Sequence, residues 1–367
     1  MNKQLLDRVV NLTDHMWKTN EHKGLLFGNI GVSLIYDSLY QITKQRIFKK
    51  RTEKILSQYM PEYFTESNLF TFFPTKYAFG LIGVYSAYNI IYSKSDENEP
   101  NDLLAQSDFE CFIYETLSKI DSESNLSFFH GVAGLLQYLT TNPSIDKELL
   151  TASLAHLNNT LQVSTFNERF RNLGGQINLT VSHGITGFLL VVLNCYGLGN
   201  NKHDNEYFIL QKGEDILQKY LQQRLDEYDT IPFRMSDFKR DLMICLFLLK
   251  FNDKKDKSVS KTFAFNCCEF ILEKLELDLP EKFELGQANG LSGILECVRS
   301  IFLLVRQKKI KNWFEFHHNK LCNAIMDNST YEHLMSGSFY DGACGALLTI
   351  LYPNIEHNPN WRKLLLY

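Results

Sequence analysis

The sequence predicts an all-α protein, an α/α toroid of seven helical hairpins with inner and outer helix rings. Three observations predict it: a ruler of paired glycines, helical spacing of the apolar residues behind each pair, and a contrast between the two helices of each unit. Gly28, Gly80, Gly131, Gly184, Gly290 and Gly342 each open a Gly-x-x-Gly pair, in FGNIG, FGLIG, HGVAG, HGITG, NGLSG and DGACG. The steps between them are 52, 51, 53, 106 and 52 residues. The long step is two periods, so one unit has lost its glycines near Phe238 and Asp241. A fixed period of this size marks a repeat protein, in which each unit buries its apolar face against its neighbours. One domain is therefore expected over residues 1–367, although length alone suggests two or three.

The third unit shows the pattern. Val132, Leu135, Leu136 and Leu139 follow Gly131 at helical spacing, Asn142-Pro143 ends that helix, and Leu149, Leu150, Leu154 and Leu157 mark a second one. The fourth unit repeats it with HGITGFLLVVLNCYGLG and YFILQKGEDILQKYLQQRL, and the first with GNIGVSLIYDSLYQI and RIFKKRTEKILSQYM. The first helix of each unit is apolar on most faces and the second is amphipathic, which separates an inner layer from an outer one. Closing the array removes the end faces that an open solenoid has to cap. The glycines sit where each inner helix begins and admit a close backbone approach. Helix N-termini gathered at one end create a positive potential suited to an anionic or thiolate-bearing ligand.

Composition excludes several classes. Net charge is −4 with the two signs mixed, which is no nucleic-acid footprint. The start, MNKQLLDRVVNLTDHMWK, is too polar for a signal peptide. GFLLVVLNCYGLG and LMICLFLL are too short to span a bilayer. A cytoplasmic, non-membrane protein is expected. None of the eight cysteines forms a C-x-x-C pair, so buried free thiols are expected for most of them.

The residue before the first glycine runs Phe27, Phe79, His130, His183, Asp237, Asn289, Asp341 along the units. The last five hydrogen-bond or ligate metals. His183 and His130 are the acid/base candidates, because histidine titrates near neutral pH. Asp237, Asn289 and Asp341 are candidates for binding substrate, and they are also good helix N-cap types. Two histidines and two carboxylates on adjacent units also suit a divalent metal. Cys344 in DGACG reads as a small residue packed beside glycine. SKSDENEPND and the lysine-rich stretch near residue 255 read as surface loops.

The glycine period together with HGVAG and SHGITGF resembles the lanthionine synthetase C-like family over essentially the whole chain. The resemblance implies an α/α toroid with a zinc ion at its mouth. That zinc binds a peptide cysteine as thiolate, which adds to a dehydroamino acid to close a thioether ring. It implies zinc ligands at a repeat-five cysteine and a repeat-six Cys-His pair, and those positions are Ser236, Ala288 and Asn289 here. The family's repeat-three aspartate falls on Ser127 and its repeat-five arginine on Pro232, with Arg234 two residues on as a further substrate-binding candidate. The repeat-four histidine is present as His183. The expectation is a protein of a lanthipeptide modification system that binds a dehydrated precursor peptide, with no zinc cofactor and with a dehydratase or transporter of the same pathway as partner. One alternative is an active cyclase that works without zinc, or with a relocated metal, through His183. A second is an unrelated toroid enzyme relying on convergent acids such as Asp237 and Asp341.

Overall fold

Inner helices start directly behind Gly28, Gly131, Gly184, Gly290 and Gly342, as the ruler predicts. The computed structural model describes residues 2–19, 25, 28–59, 77, 81–92, 103–142, 145–163, 166–171, 175–196, 198, 207–230, 232–255, 258–280, 283–327 and 342–367. Fourteen α-helices lie in the described residues: α1 (Lys3–Thr19), α2 (Asn29–Thr43), α3 (Arg46–Tyr59), α4 (Leu81–Tyr92), α5 (Leu103–Ser118), α6 (Val132–Thr141), α7 (Lys147–Val163), α8 (Ile185–Tyr196), α9 (Tyr207–Glu227), α10 (Met235–Lys255), α11 (Ser258–Asp278), α12 (Leu291–Val305), α13 (Lys308–Met326) and α14 (Ala343–Leu351). Two 3₁₀ helices, Phe166–Phe170 and Asn360–Leu365, complete the regular structure. Strand pairing among the described residues is limited to one bridge, Arg171 with Ile177.

The even-numbered helices are the inner ones. In α8 every residue from Ile185 to Leu193 is buried, and α14 is buried along its whole length. The outer helices bury one stripe: α13 buries Ile310, Trp313, Phe314, His317, His318, Leu321 and Ile325, spaced three or four apart. Burying a Leu or Ile side chain contributes roughly 2 kcal/mol, so packing of the inner helices dominates the stability.

The helices gather into two compact units, residues 1–61 with 220–365 and Tyr367, and residues 62–219 with Leu366. In the first, inner helices α10, α12, α14 and α2 pack in succession, with α3, α11 and α13 each against its own inner helix. In the second, α4, α6 and α8 pack in succession, and α5 lies on α7. The seventh inner helix, α14, is followed by an irregular segment and a 3₁₀ turn rather than an outer α-helix. The chain's first helix covers it: α1 packs on α2 and α13, and Cys344 of α14 lies 3.8 Å, sulfur to sulfur, from Met16. Periodicity counted forward from the glycines could not show that the last unit borrows its outer helix from residues 3–19.

In three of the pairs both glycines are dictated by one contact. A Cβ on Gly131, Gly184 or Gly290 would strike the carbonyl of Asn125, Asn178 or Glu284, each six residues earlier. A Cβ on Gly134, Gly187 or Gly293 would strike the carbonyl of Phe128, Val181 or Gln287, again six residues earlier. The loop folds back over the first helical turn, and two backbone bonds pin it. The N–H groups of Val132, Ile185 and Leu291 donate to residues 125, 178 and 284 at 2.8, 2.9 and 2.8 Å. Those of Gly131, Gly184 and Gly290 donate to Ser127, Thr180 and Gly286 at 3.0, 3.1 and 3.0 Å.

A buried ion network ties the C-terminal segment to α12. Glu296 Oε2 lies 3.1 Å from Arg299 Nε and 2.6 Å from Arg362 Nε, and all three residues are buried. Arg299 also donates to the carbonyls of Tyr352 and Asn354, both at 2.6 Å, and of His357 at 3.1 Å. Arg362 donates to the Glu296 carbonyl at 2.8 Å and to Ser300 Oγ.

Two stability predictions follow from these contacts. Gly187→Ala forces its methyl into the Val181 carbonyl and should cost about 2–4 kcal/mol in chemical denaturation. Glu296→Gln leaves two buried guanidiniums facing one neutral side chain and should cost about 3–5 kcal/mol in the same measurement.

Candidate functional site

Two loops of identical build present the histidines. Residues Asn125-Leu126-Ser127 and Asn178-Leu179-Thr180 each form a turn in which the asparagine Oδ1 accepts the N–H two residues on, at 2.8 Å for Ser127 and 3.0 Å for Thr180. The hydroxyls of Ser127 and Thr180 then accept the His130 and His183 N–H groups at 3.3 and 3.4 Å. Short polar side chains stabilise such turns by taking up backbone donors. The signal lies in the sequence as Asn-Leu-Ser/Thr-x-x-His-Gly, in both SNLSFFHG and INLTVSHG. The glycine period alone did not reveal it.

α6 and α8 pack side by side, so their two loops meet. The Phe129 N–H donates across to the Ser182 carbonyl at 3.0 Å. The His130 and His183 rings stack with centroids 5.0 Å apart and planes 21° apart. Phe129 meets the His183 ring edge-on at 5.5 Å. The structure thus brings both predicted acid/base residues together. His183 is exposed and His130 half-buried. Partial desolvation holds the His183 imidazole below the ordinary histidine value, so it is an uncharged base at neutral pH.

Beside His183 opens a cleft of about 630 Å³, with walls from residues 122–127 and from the 3₁₀ helix Phe166–Phe170. Ser122, Ser124, Asn125 and Ser127 make one wall polar, and Arg169 reaches across to the Ser124 carbonyl. Leu126 and Phe170 are its buried apolar members. The far wall is held by the Arg171–Ile177 bridge and by the Asn178 N–H, which donates to the Phe170 carbonyl at 2.6 Å.

The candidates in the other unit are arranged differently. Asp237, aligned as the residue before a lost glycine, was expected at a helix cap. α10 instead begins at Met235, and Asp237 lies inside its first turn. Without the glycine pair no loop folds back on this helix, so it runs about one turn further toward its N-terminus. Asp237 accepts from Arg240 Nη1 at 3.0 Å and from Arg224 Nη2 at 3.3 Å. Asp241, in the place of the second glycine, is fully buried and accepts from Tyr228 and Tyr220 hydroxyls at 2.7 and 3.1 Å and from Arg240 and Arg224 Nε at 2.9 and 3.2 Å. Charge-assisted bonds thereby do here what the glycine–loop contact does in other repeats.

Asn289 is exposed on the turn before α12 and does not cap it: Gly290 is the N-cap, with no side-chain cap bond. Arg234 is exposed just before α10, and its carbonyl accepts the Asp237 N–H at 3.0 Å. Asp341 lies outside the described residues, as do Phe27 and Phe79. Ser236 is exposed in the first turn of α10, and Ala288 is buried. Beside Ala288 the Lys239 ammonium donates to the Gln287 carbonyl, while Gln287 Nε2 donates to the Gly345 carbonyl at 3.1 Å and to Thr349 Oγ1 at 3.0 Å. The residues at the three implied zinc positions do not fit the metal: alanine has no donor atom, and neutral serine and asparagine are poor ligands. Among the described residues, no group of three His, Cys, Asp or Glu side chains is placed to hold a metal ion.

The cysteines are free; Cys111 is exposed, Cys322 half-buried and the rest buried. Burial pushes the Cys267 and Cys322 thiols up to about 11, and those of Cys297 and Cys344 up as well. Cys344 packs as expected and is no candidate nucleophile. No described helix is long and apolar enough to cross a membrane.

Comparison with known proteins places this geometry. The profile of a family described as lanthionine synthetase C-like protein matches residues 21–231. A solved structure of nisin cyclase superposes with a TM-score of 0.68 at 14% identity, covering 99% of this chain and 96% of that one. This likeness shows the fold, a helical toroid. No curated protein sequence matches the chain.

The depressed His183 value has a measurable consequence. The folded chain holds this proton more weakly than the unfolded chain does. His183 therefore leaves stability unchanged above the ordinary histidine value of ~6.5 and lowers it as pH falls from there through the folded value. An NMR titration of the His183 ring protons should place its midpoint below the ordinary histidine value of ~6.5; a midpoint at or above that value would contradict the burial argument.

Proposed function

Because the chain belongs to the lanthionine synthetase C-like family, we propose that it binds a dehydrated, cysteine-bearing precursor peptide in the cleft beside His183, without zinc at the family's ligand positions. Support for this reading comes from two stacked histidines beside a cleft, together with poor zinc ligands at the positions that the resemblance assigns to zinc. His130 and His183 stand stacked at the edge of a roomy, partly apolar cleft. Ser236, Ala288 and Asn289 stand where the resemblance puts three zinc ligands. Arg234, Asp237, Asn289 and Asp341 are proposed to contact further parts of the peptide. A dehydratase or transporter of the same pathway is the proposed protein partner, and the cytoplasm the proposed site of action.

A second reading has its own support in the low proton affinity of His183. A neutral imidazole at the cleft can accept the proton of a peptide thiol. The resulting thiolate attacks the β-carbon of a dehydroalanine or dehydrobutyrine, forming the C–S bond as the C=C π pair moves to the α-carbon. Returning the proton to that carbon completes a thioether with all atoms balanced. General-base catalysis of this kind contributes typically about 10²–10⁴-fold. His130, in van der Waals reach of the His183 ring, would orient it.

A labelled peptide containing cysteine and dehydroalanine tests both readings. Anisotropy should show binding that survives a strong chelator and weakens in His183→Ala. Stoichiometric zinc in the purified protein, or binding abolished by chelation, would refute the zinc-free site. Loss of free thiol in the presence of chelator, slowed about 10²-fold or more in His183→Ala, would identify a working cyclase. Unchanged thiol with intact binding would identify a peptide-binding protein.

A further inference from the structure

Far along the chain from the histidine loops, the outer helices α11 and α13 enclose a groove of about 230 Å³ lined by Glu269, Leu272, Glu273, Glu276, Lys309, Ile310, Asn312, Trp313, Phe316 and His317. Its apolar members are not fully covered by the chain: Phe316 is 52% exposed, although it is a large hydrophobic residue. Leu277, next to Glu276, is 78% exposed. Exposed aromatic surface beside a polar rim is the usual character of a contact site.

Two polar atoms in this groove lack partners. Trp313 is 7% exposed and His317 fully buried, and neither Trp313 Nε1 nor His317 Nε2 has a hydrogen-bond partner. The two rings stack with centroids 3.8 Å apart. His317 Nδ1 lies 2.9 Å from the Trp313 carbonyl, so Nδ1 carries the hydrogen and Nε2 presents a lone pair. Desolvation pushes this imidazole down to about 4, which keeps it neutral at physiological pH. An unpaired donor and an unpaired acceptor on two stacked rings are costly to bury unless something supplies their complements.

The rim states the sign of the complement. Lys309 Nζ is shared by Glu273 at 2.5 Å and Glu269 at 3.7 Å. Glu276 has no ion pair among the described residues, and three carboxylates face one ammonium. The groove is therefore net negative, with a free carboxylate, a free acceptor and an aromatic face. A guanidinium answers all three: it donates to carboxylate and imidazole nitrogen, carries positive charge and stacks on aromatic rings.

We propose that this groove docks an arginine-bearing segment of a partner protein, with Glu276 and His317 Nε2 taking the guanidinium and Trp313 Nε1 donating to a main-chain carbonyl of the same segment. Leu272 and Ile310 would hold the arginine methylenes, and Phe316 would cover them. The groove shares no residue with the peptide cleft proposed above.

The test uses the full chain and two tripeptides, acetyl-Gly-Arg-Gly-amide and the same peptide with citrulline in place of arginine. Citrulline keeps the shape and removes the charge. In ¹⁵N-labelled protein, with the Trp313 indole resonance identified by its loss in Trp313→Phe, the arginine peptide should shift that resonance saturably and the citrulline peptide far less. Glu276 is exposed, so Glu276→Gln leaves the fold intact, as the rest of the spectrum will show. This variant should weaken the arginine peptide by about fivefold. No shift of the indole resonance, equal shifts from the two peptides, or full affinity in Glu276→Gln would each overturn the proposal.

Discussion

The contact between a glycine Cα and the backbone carbonyl six residues before it is the constraint on which the repeats depend. It occurs at Gly131, Gly134, Gly184, Gly187, Gly290 and Gly293, with the same sequence separation each time. A loop that returns so tightly leaves no space for a β-carbon, and its N–H groups find their acceptors inside the loop itself. Each helix therefore starts without a side-chain cap: Gly131, Gly290 and Gly342 occupy N-cap positions in extended conformation with no side-chain bond. Glycine at an N-cap costs only a few tenths of a kcal/mol relative to Ser, Thr, Asn or Asp, and here the loop carbonyls accept the first helical N–H groups.

The same contact explains why two histidines 53 residues apart in sequence can serve as one site. A rigid loop fixes the residue just before the glycine, and two such loops on adjacent inner helices fix two of them. The Phe129–Ser182 backbone bond then joins loop to loop. Positioning of this sort costs little mobility at the moment of binding, because the backbone is already ordered by Asn125, Asn178, Ser127 and Thr180. The side chains themselves remain reachable: His183 is exposed at the cleft edge.

Much of this was readable in the sequence, because glycine spacing reports a backbone requirement directly. The inner helices start where Gly28, Gly131, Gly184, Gly290 and Gly342 place them. The stacking of His130 on His183 was foreseeable in outline, since equal positions in adjacent repeats must be neighbours. What could not be read came from contacts that no period encodes. α1 lies against α14 through Met16 and Cys344, residues that meet only in three dimensions. Arg362 reaches Glu296 across 66 residues, and its role depends on burial rather than on any local pattern. The Asn-Leu-Ser/Thr turns were visible as letters, but their meaning required knowing that the turn hydroxyl accepts the N–H of the following histidine.

The fifth repeat carries the most consequential departure. In repeats three, four and six the residue two before the first glycine is Phe129, Ser182 or Ala288, and each lies on the turn that precedes the helix. Its counterpart Ser236 lies inside α10, because the helix begins at Met235. A side chain in a helical first turn leaves the backbone along a different direction from one on a returning loop. Residue 236 therefore has a different backbone setting from its counterparts in repeats three, four and six. The change is locked in by Asp241, whose buried carboxylate holds Arg224, Arg240, Tyr220 and Tyr228 around the extended helix. The absence of the glycine pair and the earlier start of α10 go together, since no glycine carries a returning loop here. The histidine loops, whose glycines remain, are untouched by it. The proposed chemistry at His183 thus rests on loops whose geometry does not depend on the fifth repeat.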